Sequence, residues 1–278
     1  MACRVWGQNP GFSWKIWGGW RQFWPETRVL KIKRYSVEVV ELMTVVRFPW
    51  DEFPSVWIHA PELAVKKHFA YRAAKSGDPT AAYQLVNEML SEKVVEQLAS
   101  TFAGIPMTLV SAHAIENVGV NAIPEALANS LAQNLHWRAD SGIVQTNIVA
   151  HTGADGFSRL ARQAQFEGAV IPNQCYLLVD DFVGQGGTLA NLRSHIIQGA
   201  GKVIGATVLT GKPYSANLAL TESTLDALRL KHGCELEQWW QNRFGFNFDC
   251  LTESEARYLL KTPIADRIRD KITQAEQS

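Results

Sequence analysis

Four cysteines are few for 278 residues, and Cys3, Cys175, Cys234 and Cys250 show no CxxC spacing. Without secretory context around them, they exclude a disulfide scaffold and a zinc ribbon, and reduced thiols in a cytoplasm are expected. No run of about 18 apolar residues occurs, so no membrane span is expected. A charge surplus is also missing, because Lys plus Arg and Asp plus Glu number 27 each. That balance argues against a dedicated nucleic-acid binder, although a local basic patch is left open. There is no Gly-Lys-Ser/Thr phosphate loop, no HExxH, and no internal repeat. No Ser-His-Asp or Cys-His arrangement stands out as a nucleophile and its base. What remains is 46% hydrophobic and 19% charged, enough for the core of one large α/β domain.

The first 42 residues differ from the rest. They carry five of the ten Trp and seven basic against three acidic residues, with no steady period of either kind. We read residues 1–42 as an extension outside the core, either disordered or upstream of the natural start, and residues 43–278 as the main domain. From about 60 to 100, "HAPELAVKKHFAYRAAK" and "TAAYQLVNEMLSEKVVEQLAS" are helical in pattern, with Asp78 and Pro79 as cap and first turn. Extended and helical runs then alternate. Strands are expected over 106–113, 142–151, 174–180 and 202–211, and helices over 123–135, 157–166 and 188–200. Such alternation predicts a parallel sheet covered by helices on both faces. From about 215 the chain is mainly helical.

The densest signal is "LLVDDFVGQGGTLA", residues 177–190. An apolar strand ends in Asp180 and Asp181, a loop over 182–187 holds Gly184, Gly186 and Gly187, and a helix opens at Thr188. Glycines let successive N–H groups turn inward, and a helix N-terminus adds positive potential, so the loop reads as a phosphate cradle. Paired carboxylates before it suit vicinal hydroxyls or a hydrated Mg2+.

The stretch "YLLVDDFVGQGGTLA" resembles the phosphoribosyl pyrophosphate (PRPP) motif of type I phosphoribosyltransferases. The resemblance implies an α/β fold of that type with added helices at both ends, and a PRPP-dependent transfer that releases pyrophosphate. It assigns ribose hydroxyls to Asp180 and Asp181, which would also meet Mg2+, directly or through water, and the 5′-phosphate to Gly184, Gln185, Gly186, Gly187 and Thr188. Gln185 departs from the pattern, since Thr or Ser usually stands there. By position, Ser111, Ala112 and His113 in "TLVSAHAIENVGVN" fit the family's pyrophosphate loop, and "GVNAIPEALANSLA" is loosely similar to the ComF-type branch. The mobile loop of the family falls over 136–170, with Arg138, Gln145, His151, Arg159 and Arg162. Arg159 and Arg162 are expected on one helix face as a clamp, with Arg162 taken as catalytic beside the two acids. Lys212, Pro213 and Tyr214 are weaker candidates at a strand end. Trp239, Trp240, Phe244 and Phe246 suit either base stacking or a core.

No nucleophile is needed for such a transfer. Holding the leaving pyrophosphate and excluding water suffice for oxocarbenium-like charge at the ribose. The acceptor is not legible, and neither is the assembly, for which a homodimer stays open. The competing readings are a PRPP- or nucleotide-binding regulator without turnover, and an accessory protein of DNA uptake or phage defence. The composition of residues 1–42 generates one prediction: a chain begun at Met43 should stay in solution and keep its melting temperature, and a loss of several degrees would contradict it.

Overall fold

The computed structural model describes residues 46–112, 115–116, 119–147, 149 and 155–277. The extension 1–42, His113 and His151 lie outside the described residues.

An extended segment leads into strand β1 (Trp57–Pro61). Two short helices follow, α1 (Glu62–Lys67) and α2 (Tyr71–Lys75), where the sequence pattern predicts a single one. The break falls at His68, whose ψ of 134° is extended. β1 itself is missed by the sequence pattern, because its five residues merge into the helical run. Helix α3 (Pro79–Met89) starts as expected, with the Asp78 side chain accepting from the Ala81 N–H at 3.1 Å. Helix α4 (Glu92–Thr101) is capped by Ser91 in the same way.

Strands β2 (Met107–Ser111), β3 (Arg138–Asp140), β4 (Cys175–Val183) and β5 (Lys202–Gly211) complete one sheet in the order β1-β5-β4-β2-β3. Every neighbouring pair is parallel. This is the α/β architecture the alternation predicts. Helix α5 (Ile123–Leu135) joins α3 and α4 on one face, where Leu85, Leu98, Leu127 and Leu131 pack on Leu109, Leu177 and Val179. The other face is covered by helix α7 (Gly187–Gln198), whose Leu189, Leu192 and Ile196 pack with Tyr176, Leu178 and Val208. Residues 176–179 thus serve both layers in alternation, which is why they read as an unbroken apolar run.

The segment 142–151 is not a strand of this sheet. Val144–Gln145 pairs antiparallel with Phe166–Glu167 in a separate two-stranded ribbon. Between them, helix α6 (Gly156–Ala161) is shorter than expected and begins at Asp155, whose carboxylate accepts from the Ser158 N–H at 2.8 Å. Helices α8 (Glu222–Phe244), α9 (Glu253–Lys261) and α10 (Ala265–Gln277) form a second core with α6. Gly233, at φ 75°, breaks α8 where the sequence shows two helical runs. Trp240 is fully buried among Phe244, Phe246 and Phe248, and Trp239 packs against the same cluster. These aromatics are core, not a stacking platform.

The two cores are linked by a buried ion pair. Arg47 donates to both Glu255 oxygens at 2.6 and 3.1 Å and to Asn191 Oδ1 at 2.6 Å. Glu255 simultaneously completes the capping box of α9 with Thr252. Removing one partner of such a pair strands the other charge, at a cost of about 3–5 kcal/mol. Arg47→Met should therefore destabilise by that order in denaturant unfolding, and adding Glu255→Gln should recover part of it. A single variant as stable as the parent would contradict this role.

Candidate functional site

The chain leaves β2 toward β3 on one side of the sheet and leaves β4 toward β5 on the other, so the connections diverge between β2 and β4. A crevice outside the carboxyl ends of the strands is expected at such a place. Here β4 extends further than the sequence suggests. Its pairing with β5 runs to Val183 opposite Gly211, and the Lys212 N–H donates to the Val183 carbonyl at 3.1 Å. Asp180 and Asp181 therefore sit inside the strand, not at its tip. The loop contracts to Gly184–Gly186, and α7 starts at Gly187, not Thr188.

Two of the glycines are required. Gly186 has φ 81°, and a Cβ there would lie 2.4 Å from Leu218 Cδ2. A Cβ on Gly187 would lie 2.7 Å from Glu255 Oε1. The Gln185 carbonyl accepts from Thr252 Oγ1, which fixes the loop from the α9 side. Among the described residues no side chain caps the N-terminus of α7, and no acid stands in its first turn. Its leading N–H groups and positive potential are thus available to an anion.

The two acids are not equivalent. Asp181 accepts from Lys75 Nζ at 2.8 Å. Burial works to raise its pKa, but the Lys75 ammonium, with Asp180 and Asn121 as hydrogen-bond partners, holds it below the ordinary carboxylate value. Asp180 accepts from the Asp181 backbone N–H at 2.8 Å. Burial and the adjacent Asp181 charge push its pKa well above the usual range. Lys75 ends the helical run "HAPELAVKKHFAYRAAK", and the sequence pattern does not single it out. Its placement depends on the end of α2, where Gly77 turns at φ 101° and the Ala122 N–H donates to the Ala74 carbonyl at 3.2 Å. That contact brings the helix end beside Asn121 at the entry to α5.

A cavity of about 290 Å³ opens over these groups. Asp180, Asp181, Gly184, Gln185, Gly186, Gly187 and Thr188 all line it, as do Ala112, Gln145, Arg159 and Arg162. Its lining carries five cationic against three anionic side chains, so it favours a negatively charged ligand. Arg162 lies beyond the end of α6, with φ −106° and ψ 94°, and donates to the Ala275 carbonyl at 3.1 Å. The expectation that it shares a helix face with Arg159 is corrected accordingly: both reach the cavity, but from a helix and from the turn after it. Ser111 is buried at the end of β2 and does not line the cavity, while the Ala112 N–H is spent on the Val179 carbonyl at 2.9 Å. The Ala112 amide is therefore not available to a pyrophosphate. Arg138 is the first residue of β3 and is not part of the lining. Lys212 and Tyr214 belong to a neighbouring cavity. Among the described residues, no group of three or more His, Cys, Asp or Glu side chains could hold a metal ion.

No protein-family model matches the chain. Protein TraN of Escherichia coli is 38% identical over 229 residues, covering 82% of this chain and 51% of TraN. An uncharacterized protein of Haemophilus influenzae is 36% identical over 154 residues, covering 55% of this chain and 34% of that protein. The chain thus spans about half the length of one curated relative and a third of the other. Among solved structures, a hypoxanthine phosphoribosyltransferase from Staphylococcus aureus is similar at a TM-score of 0.33 and 14% identity, over 51% of this chain and 67% of that one. An adenine phosphoribosyltransferase from Leishmania tarentolae gives a TM-score of 0.31 at 12% identity, over 54% and 77%. No helix among the described residues is long and apolar enough to cross a membrane.

The opposite pKa shifts of the acids set a pH test. A raised folded pKa means that Asp180 stabilises the fold only where it is protonated, and that this contribution is lost as pH rises from about 4 through the folded value. Asp180→Asn should therefore gain melting temperature relative to the parent as pH rises from 4 to 7. Asp181, with its lowered pKa, contributes stability above about pH 4 that disappears as pH falls further, and Asp181→Asn should lose stability at neutral pH. Melting curves of both variants across pH check this, and identical behaviour of the two would contradict it.

Proposed function

We propose that the cavity at the end of β4 binds PRPP, and that the protein transfers its phosphoribosyl group to an acceptor with release of pyrophosphate. The observation that carries this reading is the convergence on one cavity of two buried adjacent acids, a glycine loop and an uncapped helix N-terminus. The acids suit the vicinal hydroxyls of a ribose, since a carboxylate accepts from two O–H groups. The N–H groups leading α7 and the Thr188 hydroxyl suit the 5′-phosphate.

Arg159 and Arg162 line the same cavity and would face the pyrophosphate in place of the Ala112 amide. Held there, the leaving group is stabilised as charge develops at the anomeric carbon, and the protein's part is mainly positioning and electrostatics. The donor set gives no cage for a free cation, but it fits a Mg2+ that brings phosphate and water ligands with it. Asp180, the acid not bonded to Lys75, would meet such an ion. Bound there, Mg2+ would neutralise charge on the leaving pyrophosphate.

A second reading, a PRPP-binding regulator without turnover, has a specific observation behind it. Lys75 already occupies one oxygen of Asp181, and Gln185 supplies an amide where a hydroxyl is expected. The two readings share binding and differ in turnover. At a hundredfold excess over Kd, PRPP with Mg2+ should stabilise the fold by about 2.7 kcal/mol, raising the melting temperature on the order of 5–10 °C. Labelled pyrophosphate released in the presence of an acceptor panel supports transfer, whereas a thermal shift without any release supports the regulator. No thermal shift at millimolar PRPP contradicts both.

A further inference from the structure

A second cavity, of about 350 Å³, adjoins the first and shares Arg159, Gly184 and Gln185 with it. It is cationic throughout. Arg159, Lys212, Arg257 and Lys261 line it, and no carboxylate does. Helix α9 supplies two of the four charges at i, i+4 spacing, Arg257 and Lys261, on one face with Tyr258. Tyr258 is fixed by its edge contact with Phe157 and by Gly156, where a Cβ would lie 2.3 Å from the Tyr258 ring.

The existing partners do not neutralise this cluster. Arg257 donates to the Tyr214 carbonyl at 2.6 Å and approaches Glu253 at 3.6 Å. Lys212 reaches Glu62 at 3.3 Å with 42% of its side chain exposed, a pair that solvent screens. Arg159 Nε is buried with no hydrogen-bond partner among the described residues. Buried polar groups in folded proteins are ordinarily satisfied, so the unpartnered Nε leaves the Arg159 guanidinium charge poorly compensated beside this cavity. With only Glu253 and Glu62 near four cations, the cluster keeps a positive excess that an anion would relieve. The Ser215 and Ser254 hydroxyls stand in the same lining, with Ser254 donating to Ser215 at 3.2 Å.

We propose that this second cavity binds a phosphate-bearing small molecule, at a site distinct from the one that holds Asp180 and Asp181. The volume lies in the range of small-ligand pockets. Lys and Arg with hydroxyls are the donor set that phosphate oxygens accept from. The proposal does not depend on PRPP binding in the first cavity, because Lys212, Arg257 and Lys261 line the second cavity alone, although Arg159 is common to both.

Calorimetric titration with inorganic phosphate tests it. The parent, an Arg257→Gln/Lys261→Gln double variant and a control with equal charge loss, Lys93→Gln/Lys202→Gln, are compared at constant ionic strength. Lys93 and Lys202 are exposed on α4 and at the start of β5, so they report the effect of net charge alone. The expected result is loss of one binding event, at least about tenfold in affinity, in the Arg257/Lys261 variant only, as follows from removing two charged hydrogen bonds. Equal melting temperatures establish that the variant is folded. Unchanged phosphate binding in that variant, or an equal loss in the control, overturns the proposal. A PRPP titration of the same variant, run in parallel, reports on the first cavity separately.

Discussion

Two adjacent carboxylates buried inside a central strand, just short of its carboxyl end, are the constraint around which the site is organised. Neither could remain ionised there at ordinary pH without compensation, since desolvation and mutual repulsion act in the same direction. The fold divides the burden unequally. Lys75, with Asp180 and Asn121, stabilises the charge on Asp181, while burial and that charge leave Asp180 with a raised pKa. The last residue of α2, the turn at Gly77 and the entry to α5 are arranged as they are because the ammonium must arrive from outside the strand.

The glycine loop poses the converse problem, since it must stay in place with little side-chain packing of its own. It is held from behind. Leu218 and Thr252 close on Gly186, Glu255 closes on Gly187, and Arg47 locks Glu255 to α7 through Asn191. The segment before β1 and the C-terminal helices are thus supports of the loop, and the N-terminus of α7 is left facing the cavity. Arg159 stands where the two cavities meet, which makes it the residue through which occupancy of one could be felt in the other.

Much of this was legible in the sequence. Residues 176–179 serve two helical layers, so β4 announces itself as an apolar run, and the acids and glycines after that run line one cavity. β1 was not legible, because Trp57–Pro61 gives no alternation and runs directly into a helix. The extent of β4 was missed for a different reason: Asp180 and Asp181 resemble a strand end, but pairing with β5 carries the backbone on to Val183. Lys75 and Arg47 were beyond reach. Their roles come from contacts with Asp181 and Glu255, far away in the chain, and no local pattern encodes them.

The central claim is that the cavity over Asp180 recognises a phosphoribosyl group through that acid and the loop beside it. Calorimetric titration of PRPP with Mg2+ into the parent and into Asp180→Asn measures it most directly. Loss of charge-assisted hydrogen bonds at about 1.5–3 kcal/mol corresponds to roughly 10- to 150-fold weaker binding in the variant. Equal affinity in the two proteins, both folded, would contradict the account.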